Sequence, residues 1–271
     1  MSLNQHVSPD LTLQPASFRI TKMKVTHRVA LLATVPLMFL STMPAHAQGT
    51  DLGHGLSLAG NITVANDYRF RGYTQTNFKP AAQVGIDLSH SSGFYLGNWN
   101  SNVGWTNGAS LEMDFFGGWK GDIGHGLKLD VGVLQYTYPG SSMPVSPNTT
   151  ELYVGIGSGP LNFKVSWAPT NWFGYADSKN AVYLDAKADF PLGDGWGVGL
   201  HAGYQFLNNV RDMNGNTTGG YFDYKAGIYK DIKGWIFDLS VVGASTDSLY
   251  TSSQGYNAGR VGVLFSIAKG F

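Results

Sequence analysis

The chain has 271 residues, no cysteine and equal numbers of acidic and basic residues. The lack of cysteine excludes a disulfide framework, and the balanced charge argues against a nucleic-acid partner, because nucleic-acid-binding surfaces are usually basic. Charged residues are only 13% of the chain, about half the usual share of a globular domain, so a surface built from this composition would dissolve poorly in water.

The first 47 residues have the features of an export signal. A basic head at Lys24 and Arg28 precedes an apolar segment over 29–40, and Ala45-His46-Ala47 has the small-x-small pattern of a cleavage site. A short core helix and an uncleaved membrane anchor are the alternatives. The shortness of the apolar run and Pro36 within it argue against both.

We therefore divide the chain into four parts. Residues 1–22 are predicted to be a mis-assigned N-terminal extension, and residues 23–47 a signal peptide that is cleaved after Ala47. Residues 48–54 would form a short periplasmic N-terminus, and residues 55–271 the folded domain.

From residue 55 onward, apolar and polar side chains alternate in short segments separated by turn residues. This period of two is typical of β-strands with one apolar and one polar face. We predict twelve strands, over 55–72, 79–90, 93–103, 110–120, 126–138, 150–158, 160–169, 180–190, 195–206, 219–230, 234–244 and about 258–271.

Two of these segments carry face assignments that matter for the interior. In segment one the apolar face includes Tyr68 and Phe70. In segment three the apolar residues Tyr95, Trp99 and Val103 are assigned to one face, and the asparagines to the other, namely Asn98, Asn100 and Asn102.

The connections alternate between short turns and longer loops, which is the asymmetry of outer-membrane barrels. A strand of about 11 residues at about 3.3 Å each, tilted by about 45°, spans roughly 25 Å, the height of their apolar band. We predict an all-β fold, a transmembrane antiparallel up-and-down β-barrel of about 12 strands. A soluble barrel is disfavoured because roughly sixty apolar positions would overfill a closed lumen.

The last strand is predicted to pair with the first, because free strand edges are not tolerated in lipid. The segment before strand one, "QGTDLGH", is too short for a plug, and no loop is expected to exceed about 13 residues. A narrow pore should therefore remain.

Parity places a set of charged side chains on the lumen face. They are Asp67, Arg69, Arg71, Asp87, Glu112, Asp114, Lys128, Asp130, Glu151, Lys164, Asp185, Lys187, Asp189, Asp223, Lys225, Asp238 and Arg260. One hypothesis is a mixed-charge, slightly acidic channel with weak cation preference; the alternative is that these charges pair across strands and seal the barrel. Arg69 and Arg71 could form an anion-selective cluster or pair with lumen acids.

The function predicted from this pattern is a porin-like channel in the bacterial outer membrane, for passive diffusion of small hydrophilic solutes. The chain shows no phosphate loop, metal-ligand spacing or GxGxxG motif, so we expect no cofactor, no metal and no catalytic residues. One alternative is a sealed structural or adhesive barrel. A second is a membrane-embedded hydrolase using His90 and Ser92 of "SHSSG", at a predicted periplasmic turn.

The stretch "LAGNITVANDYRFRGYTQTNFKPAAQVGIDLSHSSGFYLGNWNSNV", with "LEMDFFGGWKG", "LQYTYPG" and "ELYVG" after it, resembles the TorF family of porins, conserved proteobacterial outer-membrane proteins. The likeness is strongest over 58–155. It implies an outer-membrane barrel whose partners are the lipid bilayer, small polar solutes and the barrel-assembly machinery. Phe271, with Phe265 and Ile267 before it, resembles the C-terminal signal that this machinery recognises.

Overall fold

The computed structural model describes residues 49–245, 249–253 and 255–271, and within these ranges the regular structure is entirely β. The strands are β1 (Thr50–Gly53), β2 (Leu56–Ala65), β3 (Arg69–Phe70), β4 (Tyr73–Thr74), β5 (Ala81–His90), β6 (Phe94–Asn102), β7 (Leu111–Gly124), β8 (Leu127–Thr137), β9 (Thr149–Ser158), β10 (Leu161–Ala168), β11 (Ala181–Gly193), β12 (Trp196–Arg211), β13 (Thr217–Ile232), β14 (Trp235–Ala244) and β15 (Gly262–Gly270). Among the described residues, no helix has the length and apolar character needed to cross a bilayer.

Twelve of these strands, β2 and β5 to β15, form one closed antiparallel sheet in which each strand pairs with its neighbour along the chain. β15 completes the circle by pairing with β2, from Ser266 opposite Ala65 to Gly270 opposite Asn61. This confirms the predicted twelve-stranded up-and-down barrel. Closure leaves neither end of the sheet with a free edge, which satisfies the backbone N–H and C=O groups without water.

Apolar side chains lie on the outer face of the sheet and polar side chains on its inner face, which is the reverse of a soluble barrel. Outward residues such as Val64, Val154 and Phe163 are half or more exposed. Inward residues such as Glu112 and Asp223 are buried. Alternating side chains thus give an apolar outer surface and a polar interior, which is the arrangement that lipid requires.

The seam between the last and first strands is extended by the terminal residue. The backbone N–H of Phe271 donates to Gly60 O at 3.0 Å, and the N–H of Gly60 donates to Phe271 O at 2.8 Å. Beyond this pair, the remaining edge of β2 is covered by β1, with Thr50 opposite Leu58. The Phe271 ring lies where a side chain at position 60 would stand.

Short turns and long loops lie at opposite ends of the barrel. The turns at one end occupy 91–93, 125–126, 159–160, 194–195 and 233–234. At the other end the chain connects strands through 66–80, 103–110, 138–148, 169–180, 212–216 and 245–261. The tight turns need positive φ angles, as at His125 (54°) and Gly126 (74°), which match the right-handed twist of a two-residue hairpin.

The prediction for segment one is wrong beyond residue 65. β2 ends at Ala65, and the chain then turns into the barrel, so Tyr68 and Phe70 are buried inside instead of facing outward. The short strands β3 and β4 pair with each other there. The expectation of an interior without a plug is therefore wrong, and the loop over 245–261 is also longer than expected.

The face assignment for segment three is also wrong. Tyr95 and Trp99 are buried, at 6% and 7% exposed, whereas Phe94 and Leu96 are exposed. The large apolar residues on the odd positions of β6 point inward, so the three asparagines on its even positions point outward. Both faces of this strand carry apolar side chains, and alternation alone does not say which of them faces lipid.

Candidate functional site

The interior is organised around the inward hairpin formed by β3 and β4, called here the inner hairpin (residues 69–74). Its two-residue turn is Arg71-Gly72, with φ angles of 45° and 83°. The stem is held by Asp67, whose carboxylate is 2.5 Å from Arg69 Nε and accepts hydrogen bonds from the hydroxyls of Thr74 and Thr76 at 2.5 and 2.9 Å. These local bonds stabilise the hairpin although only two residues of each strand pair.

The tip of the inner hairpin reaches the inner wall of the barrel at β13 and β14. A Cβ atom at Gly72 would lie 2.8 Å from Gly243 O and 2.9 Å from the Cβ atoms of Ala244 and Asp223, so no larger residue fits there without a shift. The glycine also has a positive φ angle that other residues rarely adopt. The tip therefore packs directly against β13 and the end of β14.

Arg71 anchors the tip to two further strands. Its Nη2 donates to Glu151 Oε2 of β9 at 2.8 Å, and its Nη1 donates to Gln205 Oε1 of β12 at 2.6 Å. The guanidinium also lies 4.1 Å from the centre of the Tyr183 ring. Only 2% of Arg71 is exposed. Because the planar guanidinium is both hydrogen-bonded and stacked, it fixes the position of the hairpin.

An aromatic cluster fills the interior toward the long-loop end. The Phe70 ring contacts Phe173 at a centroid distance of 5.3 Å, and the Tyr73 ring contacts Tyr221 and Tyr250 at 4.9 and 5.1 Å. The rings come from the inner hairpin, from β13 and from two long loops. Their packing stabilises the hairpin in its inward position.

A pocket beside Arg71 has cationic and anionic walls. Arg71, Lys164 and Lys187 line it together with Glu151 and Asp185. Lys187 Nζ is 3.0 Å from Asp185, and Arg71 is paired with Glu151. In the described part of the chain no carboxylate comes within 4.0 Å of Lys164 Nζ, which lies over the Tyr153 ring at 5.4 Å. The pocket is therefore lined by three basic side chains and two carboxylates, and Lys164 is the basic side chain without a carboxylate within 4.0 Å among the described residues.

A chain of charges runs along the adjacent inner wall. His201 lies between two carboxylates, 3.3 Å from Asp185 and 3.5 Å from Asp223. Lys225 is 3.2 Å from Asp238 on the next strand. Carboxylates thus alternate with His201 and Lys225 across β11 to β14, and these contacts compensate for the removal of the carboxylates from bulk water.

The opposite wall is acidic. Glu112 accepts hydrogen bonds from the hydroxyls of Tyr68 and Tyr138, both at 2.8 Å. Asp114 is fully buried, and neither of its carboxyl oxygens has a hydrogen-bond partner among the described residues. The two walls give the interior a charge asymmetry, with free cationic character near β10 and acidic character near β7.

The other residues predicted to line the lumen differ in position. Tyr95 donates to Asp130 at 2.5 Å and Tyr229 to Asp189 at 3.0 Å, and Asp87 is buried. Lys128 and Arg260 are exposed. In the predicted assembly signal, Phe265 and Phe271 are exposed and Ile267 is half-buried.

Several interior residues were not among the predicted site residues. Tyr136 and Tyr183 contact the anchored Arg71 region, and Gln205 holds the guanidinium directly. A signal for the tyrosines was present, because they alternate with the outward residues Val133 and Leu184. Gln205 has the correct parity too, but its partner could not be inferred without knowing that the hairpin folds inward.

The pair considered for hydrolysis lies on an exposed turn between β5 and β6. His90 Nδ1 is 2.7 Å from Ser92 Oγ, and the backbone N–H of Ser92 donates to the same nitrogen at 3.1 Å. One ring nitrogen thus contacts two groups of the same residue, an arrangement that closes the turn. Over the described ranges, no group of three or more His, Asp or Glu side chains is suited to hold a metal ion.

Comparison with solved structures finds barrels of the porin fold at low sequence identity. The NanC porin matches with a TM-score of 0.51 at 9% identity, covering 77% of this chain and 97% of that chain. The KdgM porin matches with 0.49 at 9%, covering 79% and 98%. OccAB3 of Acinetobacter baumannii matches with 0.42 at 9%, covering 82% and 66%.

At such identities the likeness concerns the fold. A search among curated proteins finds no significant match. A family model does match, over residues 47–271, and it is described as "Bacterial protein of unknown function (Gcw_chp)". Because the match covers most of the chain, the protein belongs to the Gcw_chp family.

Proposed function

We propose that the protein is an outer-membrane, porin-like channel through which small hydrophilic solutes diffuse passively. The observation that carries the proposal is the closed barrel with an apolar outside and a charged inside, including the pocket lined by Arg71, Lys164 and Lys187. A barrel that served only as a scaffold would be more stable with an apolar, well-packed interior, since buried charges are costly even when paired.

The inner hairpin would set the size limit of this channel. A twelve-stranded barrel has a backbone radius of about 12 Å, which inward side chains reduce to a pore of about 10 Å or less. The hairpin extends into this space from the end of β2 and is held by Arg71 to β9 and β12, so solutes would pass beside it or when it moves. Small solutes fit such a path and folded proteins do not.

Export and assembly complete the proposal. Residues 23–47 would direct export, with cleavage after Ala47, and Phe265, Ile267 and Phe271 would be read by the barrel-assembly machinery. The position of Phe271 on the closing seam supports this role, because its backbone N–H and C=O become paired with Gly60 only when the barrel closes. The TorF resemblance, which is strongest over residues 58–155, belongs to this proposal too.

Conductance of single molecules in planar bilayers tests the function. We expect the wild-type protein to give small, discrete steps, and a variant with residues 69–74 replaced by a Gly-Ser linker to give larger steps. A Gly-Ser replacement of the exposed loop 212–216 is the matched control and should leave the steps unchanged. Absence of steps from the wild-type protein and from the hairpin variant would contradict a channel.

A sealed structural barrel is the second candidate, and the inner hairpin favours it. The hairpin is anchored by Arg71 and covered by aromatic rings, so it fills part of the interior. The two candidates differ in one result. A sealed barrel predicts a silent wild-type protein that conducts only after the hairpin is replaced.

The hydrolase alternative is tested with the same preparation. A channel predicts no cleavage of phospholipid in proteoliposomes. Cleavage that disappears in His90→Ala would overturn the assignment and make the contact between His90 and Ser92 functional.

A further inference from the structure

The outward face of β6 carries asparagines at three successive outward positions, Asn98, Asn100 and Asn102. The neighbouring strands present apolar residues at the same level. Asn98 lies opposite Ile86 of β5 and Phe115 of β7, and both of these are about half exposed. The asparagines therefore interrupt an otherwise apolar surface.

These asparagines lie within the apolar band and not beyond it. β6 begins at Phe94, directly after the short turn at 91–93, and its outward series then runs through Leu96 to the asparagines. With about 3.3 Å per residue and a tilt near 40°, the band needs about five outward positions on each strand. The asparagines occupy three of them on β6, so lipid would contact amide groups well inside the membrane.

The amides are only partly satisfied within the chain. Asn98 donates to the backbone carbonyl of Asp114 at 3.0 Å, and Asn100 donates to the side-chain oxygen of Asn98 at 2.6 Å. Asn102 bonds to the backbone of Pro80 and Ala82 at the strand end. Within the described ranges, Asn100 Oδ1 accepts no hydrogen bond. Lipid tails cannot supply a donor, so this oxygen is unsatisfied unless protein covers it.

We propose that the asparagine face of β6 is the contact surface of a homodimer, with a second copy of this chain as its occupant. All copies insert with the same orientation, so the two-fold axis lies along the membrane normal. Strands tilted by about 40° then cross at about 80° where two barrels meet. The residue at the crossing point contacts its own copy, and Asn100 is the middle one of the three.

A second copy suits this position chemically. A primary amide has both a donor and an acceptor, so two symmetry-related Asn100 side chains satisfy each other with a reciprocal pair of hydrogen bonds. The partner's Asn100 supplies the donor that Asn100 Oδ1 lacks. The surrounding exposed residues, Val84, Ile86, Leu111 and Phe115, supply apolar contact area around the amide pair.

Cysteine cross-linking in intact outer membranes tests the dimer. The chain contains no cysteine, so a single introduced thiol reports one position. Asn100→Cys should form a disulfide-linked dimer on mild oxidation. Leu200→Cys is the matched control, because β12 is six strands away around the ring of twelve and Leu200 is an exposed outward residue. It should remain monomeric.

Equal cross-linking at the two positions, no cross-link at Asn100→Cys, or a product with a protein of different mass would overturn the proposal. If Asn100→Cys does not insert, Asn102→Cys with a short bismaleimide replaces it. A second measurement uses Asn98→Leu/Asn100→Leu, which should sediment in detergent as a folded monomer where the wild type sediments as a dimer. Identical sedimentation of the two proteins would also overturn the dimer. Neither readout depends on conductance.

Discussion

Arg71 is the residue on which the arrangement of the interior depends most. It has a positive φ angle, which is uncommon for a residue with a side chain, and its guanidinium is buried between two polar partners and an aromatic ring. The strain and the desolvation are compensated only while the partners remain. Arg71 thus couples the hairpin conformation to β9 and β12.

Removal of one member of the Arg71–Glu151 pair should cost more than removal of both. In Arg71→Met the Glu151 carboxylate stays buried without its cation, and we expect a loss of about 3–5 kcal/mol in the free energy of unfolding. In Arg71→Met/Glu151→Gln no charge is stranded, so the loss should be smaller. Urea unfolding in detergent measures both variants. Equal losses would show that the pair does not contribute through its charge.

The alternation of odd and even positions along each strand predicted most of the interior residues. It could not predict which of them contact each other across strands. Glu112, Asp185 and Asp223 are buried inward as their alternation with apolar neighbours indicates. The partner of Arg71 could not be found in this way, because Glu151 lies 80 positions away and the two meet only when residues 66–80 fold inward.

At the scale of elements, the two wrong face assignments have one cause, which is that alternation gives the period of a segment and not its place in the barrel. Alternation continues through Tyr68 and Phe70, so the inner hairpin has the same period as the strand that precedes it. In β6, apolar residues stand on both faces, so the period gives the strand and not its orientation. The remaining strands have one clearly apolar face and were oriented correctly from sequence by this rule.

The seam element also has a specific packing requirement at Gly60. A Cβ atom at this position would lie 2.5–2.7 Å from the Phe271 ring, so Gly60→Val should displace the terminal aromatic residue from the closing strand. We expect the unfolding free energy to fall by about 1–3 kcal/mol, as for other overpacked positions. Gel mobility of folded and unfolded protein, with urea titration, measures the change.

The control for this substitution is Gly155→Ala on β9. The nearest atoms to a Cβ there are 3.5 Å away, an ordinary contact, so stability should be nearly unchanged. If Gly60→Val were as stable as Gly155→Ala, the ring would have moved without cost, and its place on the seam would contribute little to closure.

At the scale of the whole molecule, composition and segment count were sufficient for the barrel. Twelve alternating segments joined by alternately short and long connections permit an even-stranded closed sheet. The low content of charged residues indicates that the outer face of this sheet contacts lipid and not water. The filled interior could not be predicted from them. Its hairpin is stabilised by tertiary contacts, chiefly those of Arg71 and Phe70, that have no local sequence signature.

With apolar side chains outside and polar ones inside, a lysine introduced at two adjacent positions of one strand should have different effects on stability, although both positions lie at the same depth in the membrane. Leu200 and His201 are neighbours on β12, with Leu200 exposed on the outer face and His201 between two carboxylates inside. Leu200→Lys would place a charge in lipid, at a cost of about 2–4 kcal/mol near the midplane. His201→Lys places a cation beside the Asp185 and Asp223 carboxylates, which compensate its charge, so we expect a change of less than about 1 kcal/mol.

Reversible urea unfolding in lipid vesicles measures both variants against the wild type. The difference between them isolates the environment of the side chain, because the strand, the depth and the introduced residue are the same. If lysine were tolerated at position 200 and destabilising at position 201, the outer face would be in water and the inner face would be apolar, and the barrel could not span a membrane. The expected order follows directly from alternation of side chains across a single closed sheet.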